Sequence, residues 1–269
     1  MEQVSVKKMV RDSYGKIAQG VSKSCCGASK SSAQKVSMEV GYTSEELKTL
    51  PENANMGLGC GNPTAMASII EGETVLDLGS GGGIDCFLAA QKTGPTGKVI
   101  GVDMTAEMID RARLNAAKTT YSNVEFRLGE IEHLPVADSS IDIIISNCVI
   151  NLSQQKEQVF KETYRVLKDG GRMMISDIVI TKDLPESVLE SISAYVGCIA
   201  GAEKKDNYLD LISAAGFRDV VIVEEQTIPA ELWMNDPIAE KIREETGLSK
   251  GSGKEFLESI VSIKVSAKK

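Results

Sequence analysis

The sequence predicts an α/β protein built on a doubly wound, mostly parallel sheet, with an N-terminal helical cap and a small C-terminal segment. Three observations predict it. From Thr74 onward, short and nearly continuous apolar runs alternate with stretches whose apolar residues recur at helical spacing, the pattern of strands covered on both faces by crossover helices. A glycine-rich turn, Gly79 to Gly83, directly follows the first of those runs. With 269 residues, 42% hydrophobic and 25% charged, the chain can also bury a full core without disulfides.

Taken in order, residues 1 to about 20 carry Val4, Met9, Val10 and Ile17 as anchors of a first helix. Ser22 to Ser32 is rich in small residues and reads as a mobile loop. Thr43-Ser-Glu-Glu-Leu starts a helix that Pro51 bounds, Gly57 to Pro63 is a tight turn, and Pro63 opens a helix reaching about Ile70. The strand runs are Thr74–Leu78, Lys98–Asp103, Asn123–Leu128, Ile141–Ser146 and Gly171–Ile180. Met108, Ile109, Ala112 and Ala116 mark one intervening helix, with Thr105 as its N-cap. Val159, Phe160, Thr163, Val166 and Leu167 mark another, stopped by Gly170-Gly171. Helical stretches follow at 185–200 and 206–215, then a strand near 220–227. The expected units are a cap over 1–72 with a thiol-bearing loop, a nucleoside-binding domain over 73–227, and a small segment over 228–269 that holds the only tryptophan, Trp233.

The net charge of −8 repels phosphate backbones and anionic lipid, which argues against nucleic-acid and membrane partners. No apolar run approaches the ~20 residues that span a bilayer, and the first fifteen residues are charged where a signal peptide needs its apolar centre. A cytoplasmic protein with reduced thiols is expected.

Ligands of open parallel sheets bind beyond the carboxyl ends of the strands, so Asp77-Leu-Gly-Ser-Gly-Gly-Gly-Ile-Asp is the expected cofactor loop, with Gly79, Ser80, Gly81 and Gly83 against the ligand. A dinucleotide fingerprint begun at Gly79 needs glycine at position 84, where Ile84 stands, so a nucleoside without a pyrophosphate fits better. Asp103, followed by Met104, ends the second strand, where a carboxylate accepts hydrogen bonds from ribose hydroxyls. Adenosine joined to an amino acid suits both features. Over about 70–225 the chain resembles the class I S-adenosylmethionine methyltransferases, with residues 131–146 similar to that class's third and fourth motifs. The resemblance implies that Glu130, Ile131 and Glu132 flank the adenine and that Asn147 lines the methionine end. His133, the only histidine, fits an exposed loop residue better than a general base.

Six cysteines, at 25, 26, 60, 86, 148 and 198, contain no C-x-x-C. Cys86 reads as core, whereas Cys25 and Cys26 lie in a polar loop that is no core. Cys60 fits core or ligand equally, and Cys148 and Cys198, taken alone, fit core better. Ser-Asn-Cys-Val-Ile-Asn-Leu, Gly-Cys-Ile-Ala-Gly-Ala, Gly-Cys-Gly-Asn-Pro and the early Cys-Cys-Gly together resemble the arsenite methyltransferase family over about 10–225. That resemblance implies As(III) held by Cys60, Cys148 and Cys198, with Cys25 or Cys26 as a redox thiol. It implies S-adenosylmethionine as donor, S-adenosylhomocysteine as product and an external reductant of thioredoxin or glutathione type. No further metal is expected. Soft thiolates suit a thiophilic centre whose own lone pair is the nucleophile, so no general base is needed. The rivals are a methyltransferase for a small organic acceptor of quinone or sterol type, and a non-enzymatic, thiol-based metalloid-binding module. Structural zinc wants four ligands, usually in close pairs, and the cysteines from 26 onward are not paired.

Overall fold

The computed structural model describes residues 3–21, 30–227, 237–247 and 258–269. Helices α1 (Gln3–Ala18), α2 (Lys30–Glu39), α3 (Ser44–Lys48) and α4 (Pro63–Met66) precede the sheet domain. The alternating part runs β1 (Thr74–Leu78), α5 (Ile84–Thr93), β2 (Lys98–Asp103), α6 (Ala106–Ala116), β3 (Val124–Leu128) and β4 (Ile141–Asn147). A 3-10 turn at Ile150–Leu152 leads to α7 (Lys156–Val166) and β5 (Leu167–Ile180). Then come α8 (Glu186–Leu189), α9 (Ile192–Val196), α10 (Lys205–Ala214), β6 (Arg218–Thr227), α11 (Pro237–Thr246) and β7 (Ile260–Lys268). Among the described residues no helix is long and apolar enough to cross a membrane.

The seven strands order as β3-β2-β1-β4-β5-β7-β6. β1 pairs with β2 and β4 in parallel, as do β2 with β3 and β4 with β5. The strand order reverses between β1 and β4, and a crevice opens beyond their carboxyl ends at such a switch point. Ile143, Ile144 and Ile145 are fully buried, as expected of a central strand covered on both faces.

Residues 260–268, within the expected C-terminal segment, add a strand to the sheet. β7 lies antiparallel between β5 and β6, with Ile260, Val261, Ile263, Val265 and Ala267 buried. The cause is visible in the strict alternation of Val261-Ser-Ile-Lys-Val-Ser-Ala-Lys, a period of two that forms one buried face. Two helices are also shorter than expected. α4 stops at Met66, and Ser191 splits the 185–200 stretch by accepting a hydrogen bond from the Ala194 N–H, so capping α9. Thr105 occupies the N-cap of α6, but its side chain makes no capping bond; Asp103 accepts the Thr105 N–H instead, at 2.8 Å.

The helices before the sheet are held by specific caps. Thr43 and Glu46 form a reciprocal capping box on α3, with bonds of 2.9 and 3.1 Å. Asn62 caps α4 through the Ala65 N–H and donates to Glu46 at 3.2 Å, which fixes the 57–62 turn against α3.

Candidate active site

A cavity of about 480 Å³ lies across the carboxyl ends of β1, β2 and β4. Asp77, Gly79, Ser80, Gly81, Asp103 and Met104 line one part of it, with Ile131, Glu132 and Asn147. Gly83 and Glu130 do not face it: Gly83 is the N-cap of α5 beside Phe87 and Phe126, and Glu130 accepts an ion pair from Lys7 at 2.6 Å. The same lysine reaches Glu132 at 3.4 Å, so α1 is tied to the loop of residues 130–132.

Asp103 is oriented by two backbone donors, Gly81 N–H at 3.0 Å and Thr105 N–H at 2.8 Å. Asp77 and Asp85 are each 3% exposed. Burial, and then each other's charge in the case of Asp77, push their carboxyls up, Asp85 to about 6. Burial also raises Asp103. A ligand with hydroxyls and positive charge, as S-adenosylmethionine has on its sulfonium and ammonium, suits that acidic floor. Cys86 is fully buried, as expected, and its thiol donates to Asp77 at 3.2 Å; burial and the Asp77 charge keep it protonated.

Cys60, Cys148 and Cys198 line the same cavity. Cys60 sits in a turn between Gly59 and Gly61, and both neighbours must lack a side chain. A Cβ on Gly59 would lie 2.7 Å from Asn147, and one on Gly61 only 2.0 Å from Ser176 Oγ. Asn147 grips the turn from both sides, accepting Cys60 N–H at 3.0 Å and donating to Gly61 C=O at 2.7 Å. Ser262 of β7 donates to the Cys60 carbonyl at 3.1 Å. Cys148 follows β4 with φ +57°, its N–H donating to Ser176 C=O at 2.8 Å. Cys198 follows α9 with φ +63°, and its thiol donates to Cys148 C=O at 2.9 Å. None of the three forms a disulfide among the described residues, and hydrogen bonds with Cys198 and Cys60, then burial, push the Cys148 thiol well up. The sulfurs of Cys60 and Cys148 and a carboxylate oxygen of Asp177 lie within 4.8 Å of one another.

Asp177 and Asp85 escaped the sequence reading. Asp177 is fully buried and accepts from Asn151 at 2.9 Å, Ile178 N–H at 2.9 Å and Tyr208 at 3.0 Å; burial pushes it up to about 7. The signal was an acid inside the apolar run Met173-Met-Ile-Ser-Asp-Ile-Val-Ile. Cys25 and Cys26 lie outside the described residues, as does Trp233. His133 is exposed.

The switch-point cavity and the acidic strand ends define a methyltransferase domain, and a family profile described as a methyltransferase domain matches residues 69–216. An arsenite methyltransferase of Halobacterium salinarum is 49% identical over 80% of this chain and 58% of that protein. The human arsenite methyltransferase is 40% identical over 54% of this chain and 40% of its own length. CrArsM of Chlamydomonas reinhardtii, an arsenic(III) S-adenosylmethionine methyltransferase of known structure, is 34% identical, with a TM-score of 0.64, 87% of this chain covered and 72% of that one. The chain belongs to the arsenite methyltransferase family of S-adenosylmethionine-dependent enzymes. It spans less than two thirds of the length of the arsenite methyltransferases of Halobacterium salinarum, Aquipseudomonas alcaligenes and Mus musculus.

Proposed function

We propose that this chain transfers methyl groups from S-adenosylmethionine to As(III) held by Cys60, Cys148 and Cys198, releasing methylated arsenicals and S-adenosylhomocysteine. The observation that carries the reading is convergence: three cysteines, from the 59–61 turn, the end of β4 and the segment after α9, line the cavity that also holds the acidic strand ends. A small organic acceptor gives no reason for three thiols to meet there.

Each thiol displaces one hydroxide from As(OH)₃, the thiol proton leaving with it as water. Three sulfur bonds leave arsenic one lone pair, which is the nucleophile, so Cys60, Cys148 and Cys198 hold and aim it while no side chain removes a proton in the transfer. S-adenosylmethionine, when bound, supplies the electrophilic methyl. In this reading Asp103 accepts from the ribose hydroxyls and Asp77 faces the cationic amino-acid end, which their lining of the cavity supports. Methylation oxidises arsenic formally by two electrons, and a dithiol returns them by becoming a disulfide. Cys25 or Cys26 and an external thioredoxin- or glutathione-type reductant are proposed for that step.

The test is incubation with methyl-labelled S-adenosylmethionine, As(III) and a dithiol, followed by arsenic speciation. Label in methylated arsenicals is expected. Label only in an organic acceptor, or tight stoichiometric zinc in the purified protein, contradicts the reading.

A further inference from the structure

Asn147 has no free amide group to offer a ligand as its main task. Its oxygen accepts Cys60 N–H, and its nitrogen donates to Gly61 C=O at 2.7 Å and to Tyr42 Oη at 2.9 Å, with Asp85 farther off at 3.3 Å. Tyr42, 3% exposed, donates in turn to Asp85 at 2.9 Å. A continuous chain of hydrogen bonds therefore runs from Asp85 on the cavity floor, through Tyr42 and Asn147, to the backbone of Cys60. The glycines at 59 and 61 let the turn close on Asn147 and Ser176.

Resting on the function proposed above, we infer that Asp85, Tyr42 and Asn147 couple donor binding to arsenic capture, with Asn147 acting as a positioning residue for Cys60. The physical basis is the direction of each bond. An ionised Asp85 accepts the Tyr42 hydroxyl through a charge-assisted bond. The Tyr42 hydroxyl is then turned so that its oxygen faces Asn147 and accepts the amide N–H. That fixes the amide with its oxygen toward Cys60 N–H and its nitrogen toward Gly61 C=O. A reversed amide would set donor against donor at Cys60 and acceptor against acceptor at Gly61. A cationic donor beside Asp77 and Asp85 favours the ionised Asp85 and hence the arrangement that presents Cys60. Linkage makes the effect reciprocal: arsenic on the thiols tightens the donor by the same factor.

The experiment is calorimetric titration of arsenite with and without saturating sinefungin, a donor analogue whose amine replaces the sulfonium and which cannot methylate. The wild-type protein, Tyr42→Phe and Asp85→Asn are compared. Sinefungin is expected to tighten arsenite about five- to tenfold in the wild type, within the usual range of coupling between sites. In Tyr42→Phe the factor falls below about twofold, while each ligand alone still binds. Asp85→Asn, close in shape, gives the same collapse and carries the test if Tyr42→Phe does not fold. A wild-type factor below twofold, or a factor that survives in either folded variant while both affinities drop, overturns the inference. Absence of any arsenite binding by the wild type overturns the function reading itself, a separate outcome.

Discussion

Cys148 and Cys198 hold φ angles of +57° and +63°, a region that costs a residue with a side chain on the order of 1–3 kcal/mol. The surroundings enforce it through Cys148 N–H on Ser176 C=O and the Cys198 thiol on Cys148 C=O. Both residues line the cavity together with Cys60. Cys60 is not in that φ region itself; Asn147 grips it in an N-terminal turn whose Gly59 takes the positive φ. Inorganic As(III) offers three exchangeable positions and monomethyl As(III) only two. Cys60→Ser is therefore expected to lose methylation of inorganic As(III) yet retain it on monomethyl As(III), whereas Cys148→Ser and Cys198→Ser lose both. Product speciation on each substrate separates these outcomes, and equal losses in all three variants on both substrates would refute the division. Asp85 gives a pH signature. Its folded pKa of about 6 lies above the ordinary carboxyl value, because burial outweighs the hydrogen bonds from Tyr42 and Asn147 and because Glu46 is near. The folded state therefore binds the proton more tightly, and stability without ligand falls as pH rises from about 4 to about 6. Asp85→Asn should remove that contribution, so its melting temperature should gain on the wild type across this window. A constant difference between the two melting curves at all pH values would contradict the assignment.

At the scale of elements, what the sequence made legible was local. The apolar run of β4, the Thr43–Glu46 capping box and the Gly79–Gly83 turn each announce themselves within a few residues. β7 was just as regular, with Val261, Ile263, Val265 and Ala267 on one face, yet its partners β5 and β6 lie far away in sequence, and only pairing fixes its place. Because it is an interior strand and Ser262 also supports Cys60, removing residues 258–269 should destroy the domain rather than trim it. Loss of cooperative thermal unfolding in the truncated chain is expected. A truncated chain that melts like the full one would show that β6 can pair with β5 directly.

At the scale of the whole molecule, the site is set by topology: the switch between β1 and β4 brings Asp77 and Asn147 to one crevice. The glycine loop and Asp103 pointed there from sequence because cofactor loops follow strand ends. The buried roles of Asp85, Asp177 and Tyr42 were not legible, since they arise where Tyr42, just before α3, reaches α5 and where α10 reaches β5. Nor did the cysteines, taken alone, distinguish core from ligand; the ligand role proposed for them rests on their convergence from three segments on one cavity. That convergence makes the thiol-held acceptor the central claim, and X-ray absorption at the arsenic edge tests it most directly. Protein loaded with one equivalent of As(III) should show three sulfur neighbours and no oxygen, and Cys60→Ser should show two sulfurs and one oxygen. An oxygen-dominated shell in the wild type, or three sulfurs persisting in Cys148→Ser, would contradict it.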